Sequence, residues 1–192
     1  MRSIWLSVSG GVCLLLTLVA FEAFPAQTLP ATHQLDVRVE PGGGVHATAT
    51  VIFPVEPAII QRILTDYAHW PDLFDVRMRM ADVRVQGDRT ATDVRIDHVL
   101  LPGERRLLCE SWVLPGGGLM TELRGGDFKQ YRRTWTLSAV EAGAQTKADF
   151  DLLVEIETII PDWLIAVAMR RDLEAHFRIV TEKARGLAMT GR

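Results

Sequence analysis

The chain has 192 residues, of which 48% are hydrophobic and 23% charged, and its formal net charge is −3. This length fits one domain, and a domain of this size buries roughly 70% of its unfolded surface, so it folds without a disulfide or structural metal. No basic run accompanies the slightly acidic balance, which argues against a nucleic-acid partner.

The N-terminal segment, residues 1–26, differs from the rest of the chain. Arg2 precedes an uncharged apolar run at residues 4–21, the pattern of a secretory signal peptide. The same run is just long enough to act as an uncleaved membrane anchor. Both interpretations predict an exported, periplasmic protein. Without this segment Cys109 is the one cysteine left, so no intramolecular disulfide is expected.

The rest of the chain is predicted to be a short linker, one folded domain and a tail. The linker covers residues 27–34, the domain residues 35–187 and the tail residues 188–192. At the start of the domain, two alternating runs at residues 35–40 and 45–53 flank the turn PGGG. Alternation on both sides of a glycine-rich turn predicts a β-hairpin.

A helical corner is predicted after the hairpin, around the stretch LTDYAHWPDLFD. Pro57 suits the first turn of a helix, and apolar residues follow at spacings of three and four. The residue before a proline avoids helical geometry, so the helix is expected to break near Pro71. A further short turn then completes the corner.

An antiparallel meander is predicted next, because alternating runs follow one another across short turns. Polar and apolar residues alternate along these runs, so one face of the sheet is expected to be covered and the other wet. The predicted strands are residues 76–85, 90–101, 106–114, 119–123, 130–140 and 146–157.

The final element is predicted to be a helix that begins at Pro161 and stops at Gly186, about 25 residues or roughly 37 Å long. Its start, at residues 163–169, is apolar on all sides, which a helix covering one sheet face does not need. This start is either a helix end buried under loops or a membrane-facing portal. The portal residues would be Ile159, Ile160, Trp163 and Leu164.

Three stretches of the chain carry a resemblance to a known superfamily. They are VHATATVIFPVEPAIIQRILTDYAHWPDLFD, GGDFKQYRRTWTLSAVEAGAQTKADFDL and PDWLIAVAMRRDLEAHFRIVTEKAR. Their order resembles the START-like helix-grip superfamily (SRPBCC) of polyketide cyclases/dehydrases and lipid-transport proteins, most closely its coenzyme-Q-binding branch. The resemblance implies an α+β fold in which a curved antiparallel sheet wraps around a long C-terminal helix, with two short helices after the first strands. It also implies a hydrophobic cavity between sheet and helix.

The candidate cavity residues are mainly large apolar or aromatic side chains. Pockets and cores use the same residue types, so each of them either lines the cavity or belongs to the core. They are Tyr67, Trp70, Phe74, His98, Trp112, Trp135, Phe150, Met169, Leu173 and Phe177.

Three residues are candidates for chemistry: His98, Glu110 and Arg133. His98 shares a predicted strand face with apolar residues. It is therefore either a core histidine or a functional residue that contacts a ligand head group or acts as a general base. An inward Glu110 would need a raised pKa or a cationic partner, and Arg133 is the predicted partner. Such a pair would anchor a polar head group; alternatively, both charges face solvent. The chain has none of the common catalytic or nucleotide-binding motifs, and no cofactor or metal is predicted.

The sequence favours a non-enzymatic carrier of a hydrophobic small molecule such as a lipid, quinone or polyketide, acting near a membrane. Fold alone does not decide chemistry. A cyclase or dehydratase that uses the same cavity is one alternative, and an inward cluster of Glu110, His98 and Arg133 would favour it. A protein-interaction module is another, favoured by a cavity smaller than about 300 Å³.

Overall fold

The computed structural model describes residues 33–190, and the predicted signal or anchor segment at residues 1–26 lies outside them. Within the described range there are eight strands and two α-helices, with a 3₁₀ helix at Tyr67–Leu73. The elements are β1 His33–Val39, β2 Val45–Phe53, α1 Pro57–Thr65, β3 Arg77–Gln86, β4 Arg89–Asp97, β5 Arg105–Val113, β6 Gly118–Gly126, β7 Phe128–Val140, β8 Gln145–Ile156 and α2 Asp162–Thr190.

The strands form one antiparallel sheet in the order β1-β2-β8-β7-β6-β5-β4-β3. The hairpin β1–β2 therefore pairs with the last strand, and α2 returns across the inner face of the sheet. This order confirms the predicted hairpin, the two short helices after it, the meander and the long final helix. No helix within residues 33–190 is long and apolar enough to cross a membrane.

Two predicted helix boundaries are corrected by the structure. The first helix ends before Asp66, not near Pro71, and Pro71 lies inside the 3₁₀ helix. Helix α2 continues past Gly186 to Thr190, into the predicted tail. A glycine inside a helix costs only about 1 kcal/mol relative to alanine. Leu187 and Ala188 beyond it pack against the core, which favours the continued helix.

The core lies where the C-terminal half of α2 packs on the sheet. Phe53, Trp135 and Phe177 are fully buried, and Phe150 is nearly so. The ring centroids of Trp135 and Phe150 are 4.7 Å apart, and those of Phe150 and Phe177 are 5.3 Å apart. These tilted and edge-on contacts are the geometry that aromatic pairs favour. They fill the space between sheet and helix at this end of the molecule.

The corner after α1 is fixed to both neighbouring elements. The indole Nε1 of Trp70 donates to the backbone oxygen of Leu64, at 3.0 Å. On α2, His176 Nδ1 donates to the backbone oxygen of Leu73 at 2.8 Å, and its ring stacks on Phe74 at 4.2 Å. Trp70 and Phe74 are thereby held over the inner face of the sheet.

Candidate ligand-binding site

An inner cavity of about 180 Å³ lies between the sheet and the N-terminal half of α2. Most of its walls are carbon, supplied by the corner, the inner face of β4, β5, β7 and β8, and α2. The inner cavity is lined by Trp70, Phe74, Val76, Met78, Thr92, Val94, Ile96, His98, Leu100, Leu101, Leu107, Cys109, Thr121, Phe128, Tyr131, Arg133, Leu152, Ile156, Ile165, Ala168, Met169, Asp172 and Leu173.

A second, more polar outer pocket of about 490 Å³ adjoins the inner cavity. It lies between the loop after β4 and the N-terminal half of α2. Its wall includes the exposed side chains of Val99 and Val167. The inner cavity alone is smaller than the roughly 300 Å³ of an ordinary ligand pocket, and the two together exceed that size. The residues that line both are Val76, His98, Leu100, Ala168 and Asp172.

A hydrogen-bonded pair, His98 and Asp172, stands between the two spaces. The backbone N–H of Leu100 donates to His98 Nδ1 at 3.2 Å, so the ring hydrogen is on Nε2. Nε2 then donates to Asp172 Oδ2, also at 3.2 Å. Burial raises the pKa of the Asp172 carboxyl, and His98 offsets this only in part. The pair fastens the loop after β4 to α2 at the mouth of the inner cavity.

Arg133 is the one arginine of residues 33–190 whose side chain lies in the inner cavity wall. It is only 6% exposed, and the face of its guanidinium lies 4.5 Å from the centroid of the Trp70 ring. Its Nε has no hydrogen-bond partner within the described residues. A buried cation is thus held against an aromatic ring inside an otherwise apolar space.

A row of buried hydroxyls leads across the sheet to Arg133. Thr90, Ser111 and Thr121 lie opposite one another on successive strands, and Thr121 lies opposite Arg133. All four side chains are buried, and the hydroxyls of Ser111 and Thr121 are 3.0 Å apart. The neighbouring Thr92 hydroxyl lines the inner cavity without a partner in the described part of the chain. This polar row interrupts the apolar inner face next to the cation.

Six of the predicted site residues line the inner cavity. Two come from the corner, two from the sheet and the loop after β4, and two from α2. His98 does so from the loop after β4, because that strand ends at Asp97 and not at the predicted residue 101. The six are Trp70, Phe74, His98, Arg133, Met169 and Leu173.

Four other predicted cavity residues lie in the core, which corrects the expectation that they line the cavity. Trp135, Phe150 and Phe177 pack on one another beyond Arg133. Tyr67 packs beside Trp70, with ring centroids 4.9 Å apart, but does not reach the inner cavity. These large rings fill the space between the sheet and the C-terminal half of α2. A cavity remains only where smaller side chains line that space.

Glu110 and Trp112 lie on the outer face of the sheet, which agrees with the solvent-facing alternative for Glu110 and corrects the predicted cavity position of Trp112. Glu110 accepts a 2.6 Å hydrogen bond from Arg124, which lowers its pKa, and contacts Arg89 at 3.3 Å. Trp112 lies under the guanidinium of Arg89 at 3.9 Å. The predicted cluster of Glu110, His98 and Arg133 is therefore not formed. Cys109 faces inward, and burial raises the pKa of its thiol to about 12, which makes it a poor nucleophile.

Three polar cavity residues were not predicted from the sequence: Thr92, Thr121 and Asp172. Asp172 falls three residues after Met169, on the apolar stripe of α2, and a carboxylate on such a stripe is a signal that could have identified it. The two threonines carry no such signal, because threonine is common in any strand. Their role in the cavity depends on which residue lies opposite each threonine on the adjacent strand.

The predicted portal residues precede or begin α2, whose next turns line the outer pocket. Ile159 is 93% exposed and Trp163 63% exposed, while Ile160 is partly buried. Leu164 is also partly buried and lines the outer pocket. Together with Val99 and Val167 they leave apolar side chains in solvent around the mouth, and exposed apolar patches mark interaction sites.

No protein-family profile and no curated protein sequence matches the chain. A START superfamily protein from Mycobacterium smegmatis has a similar structure, with a TM-score of 0.59 at 16% identity over 74% of this chain and 98% of its own. An aromatase/cyclase from Streptomyces gives 0.58 at 11% identity, over 74% and 94%. A human lipid transfer and protein localization domain gives 0.55 at 12%, over 79% and 83%.

These likenesses cover 74–79% of the chain and do not single out the coenzyme-Q-binding branch, which stays a prediction. They agree with the curved antiparallel sheet, the two short helices and the long final helix. The chain therefore has the START-like helix-grip fold, as the resemblance of its sequence implies.

Proposed function

We propose that this protein binds and carries a hydrophobic small molecule, such as a lipid, a quinone or a polyketide-like compound, near a membrane. The inner cavity carries the proposal, because it is a largely apolar space beneath α2 that opens through a wider outer pocket. Structures of the same fold include a lipid transfer domain. An apolar space with few polar groups is the usual form of a small-molecule site.

We prefer a carrier to an enzyme because neither the Glu110 carboxylate nor the Cys109 thiol is placed and charged for catalysis in the inner cavity. Glu110 lies outside with Arg124 and Arg89, and Cys109 holds its proton. The pair His98–Asp172 is the observation that favours a second candidate, a cyclase or dehydratase, since it places a histidine with an oriented proton at the cavity mouth. An aromatase/cyclase is among the proteins that share the fold.

Membrane contact is proposed for the apolar rim around the outer pocket. Ile159, Trp163 and Val167 are exposed there, and tryptophan suits a membrane–water boundary. Export to the periplasm, proposed from residues 1–26, would place this rim beside a membrane. Trp163→Glu is expected to abolish liposome association, measured by flotation, while Val85→Glu, a similarly exposed position at the other end of the edge strand β3, leaves it intact. Equal flotation of the two variants would count against the rim.

Binding of a ligand in the inner cavity is tested by a substitution whose larger side chain fills that cavity. Ala168→Phe places a ring at the boundary between cavity and outer pocket, and Ala166→Phe places the same ring on α2 away from both. We expect lipids that co-purify with the wild type, identified by mass spectrometry, to be lost from Ala168→Phe and retained by Ala166→Phe. Overpacking costs about 1–3 kcal/mol, so thermal unfolding is measured for both variants. A wild type that purifies empty and binds neither quinones nor fatty acids would refute the carrier.

A further inference from the structure

We infer that Arg133 binds the anionic head group of the ligand, a carboxylate, so that the ligand enters the inner cavity head first with its apolar tail toward the mouth. This inference rests on the proposed function and specifies the chemical class of the ligand. The site consists of the Arg133 guanidinium and the Thr121 side chain, which lies opposite it on the neighbouring strand; both line the inner cavity.

The charge of Arg133 has no counterpart within the described residues. Arginine keeps its proton at any ordinary pH, and a buried cation is costly unless an anion or hydrogen bonds compensate it. No acidic side chain within residues 33–190 forms an ion pair with it. The titratable groups around it are neutral, since burial raises the pKa of the Tyr131 hydroxyl and of the Cys109 thiol. Burial also lowers the pKa of His176 to about 4, with Arg133 contributing.

The geometry leaves the in-plane donors of Arg133 available. The Cζ atom of Arg133 lies over the Trp70 ring, 4.5 Å from its centroid, and the buried Nε has no partner within the described residues. Thr92 lines the same cavity, and its buried hydroxyl also has no partner within residues 33–190. A planar fork of N–H donors matches a planar carboxylate, which accepts two parallel hydrogen bonds from it.

The mouth of the cavity offers cations of a different kind. Arg77 and Arg171 line the outer pocket, but both are exposed to water, which weakens their attraction for an anion, and Arg77 already contacts Asp97. His98 donates to Asp172 and presents no free cation there. Between Arg133 and the mouth the walls include Val94, Leu107 and Met169, which suit a hydrocarbon tail. An apolar cavity of about 150 Å³ holds a benzene molecule, so about 180 Å³ takes a head group and a short apolar segment, with the outer pocket for the remainder.

The test compares three ligands of equal chain length on the full-length protein by isothermal titration calorimetry: octanoate, 1-octanol and octylamine. We expect octanoate to bind about tenfold to a hundredfold more tightly than octanol, the range for a charge-assisted hydrogen bond, and octylamine to bind most weakly. Arg133→Met should remove the preference for octanoate and leave octanol binding within about threefold. Arg132→Met is the matched control, because the adjacent Arg132 is exposed and contacts Asp151 at 3.9 Å.

Stability separates a binding role from a structural one. Replacing an uncompensated buried cation by an apolar side chain is neutral or stabilising, so the unfolding midpoint of empty Arg133→Met should not fall below that of the wild type. If that variant fails to fold, the arginine is structural and the inference is overturned. Octanol binding as tightly as octanoate to the wild type would overturn the inference and leave the proposed function standing. If none of the three ligands binds, the inference is overturned, and the proposed function is decided by the co-purification test above.

Discussion

The two ends of the layer between sheet and final helix are built from the same elements and differ in how they are filled. At the closed end, Trp135, Phe150 and Phe177 pack ring against ring and are almost fully buried. At the open end, the same strand and helix present Arg133 and Met169 to the inner cavity. The change takes place within two residues along β7 and about two turns along α2.

This difference indicates that side-chain size, and not a change of backbone, creates the cavity. Protein interiors are normally packed as densely as organic crystals, and the closed end is packed in this way. It therefore supplies stability that the open end, which contains the cavity, does not. Substitutions at the closed end should therefore change stability, and substitutions at the open end should change binding. Each prediction below tests that division.

The largest effect is expected at Phe177. Phe177→Ala removes a fully buried ring that contacts Trp135 and Phe150 and should reduce the free energy of unfolding by about 3–5 kcal/mol. Met169→Ala, two turns earlier on the same helix, removes a partly buried side chain beside an existing space and should cost roughly 1 kcal/mol. Urea denaturation followed by circular dichroism measures both.

The same two variants should rank in the opposite order for ligand binding. Met169→Ala enlarges the inner cavity and should alter the chain-length preference for a ligand, whereas Phe177→Ala should alter it only through lost stability. Equal destabilisation by the two variants would contradict the division between the ends.

The second effect concerns His176, which joins α2 to the corner. Burial lowers the pKa of this imidazole from 6.5 to about 4. The folded state therefore holds fewer protons than the unfolded state between these two values, and stability falls as the pH is lowered through this window. The shift corresponds to about 3 kcal/mol, fully present above pH 6.5 and lost below pH 4.

A pH series of urea unfolding curves measures this slope, and two variants check its source. His176→Asn keeps a hydrogen-bond donor for the Leu73 oxygen and removes the titration, so the slope between pH 6.5 and 4 should flatten. His69→Gln, on the exposed side of the corner, should leave the slope unchanged. An unchanged slope in His176→Asn would assign the acid sensitivity to another group.

Periodicity in the sequence predicted most of the fold because buried and exposed residues alternate along β2, β4 and β8 with few interruptions. The same parity decides between the two alternatives that the sequence left open for Glu110. Leu107, Cys109 and Ser111 face inward on β5, so Glu110 and Trp112 face outward. The apolar Trp112 on the wet face obscured the pattern, because its ring is covered by Arg89.

The cavity itself could not be predicted from residue type. Whether Phe150 or Met169 faces empty space depends on which side chains meet across the layer, and those contacts join residues far apart in the chain. The pair of His98 and Asp172 shows this most directly, since the two residues are separated by 74 positions. Arg133 was found because a charge on a strand face beside aromatic residues is unusual, although its predicted partner was wrong.

The smallest effect is expected at the mouth of the open end. His98→Ala removes the hydrogen bond to Asp172 and the acceptor for the Leu100 N–H, which should free the loop after β4. One hydrogen bond contributes about 1 kcal/mol, so backbone amides at residues 98–104 should exchange with deuterium roughly fivefold faster. Asp172→Asn is the matched variant, because its amide oxygen still accepts from His98 while its charge is gone.

Asp172→Asn should keep the loop protected and should raise stability slightly at neutral pH. Burial raises the pKa of Asp172, so the charged carboxyl costs the folded state stability as the pH rises above 3.8 through that raised value, and an amide carries no such cost. If the amides of Asp172→Asn exchange as fast as those of His98→Ala, then the charge of Asp172, and not the hydrogen bond, fastens the loop. Unchanged exchange in both would mean that the open end is held by its apolar contacts alone, as the closed end is.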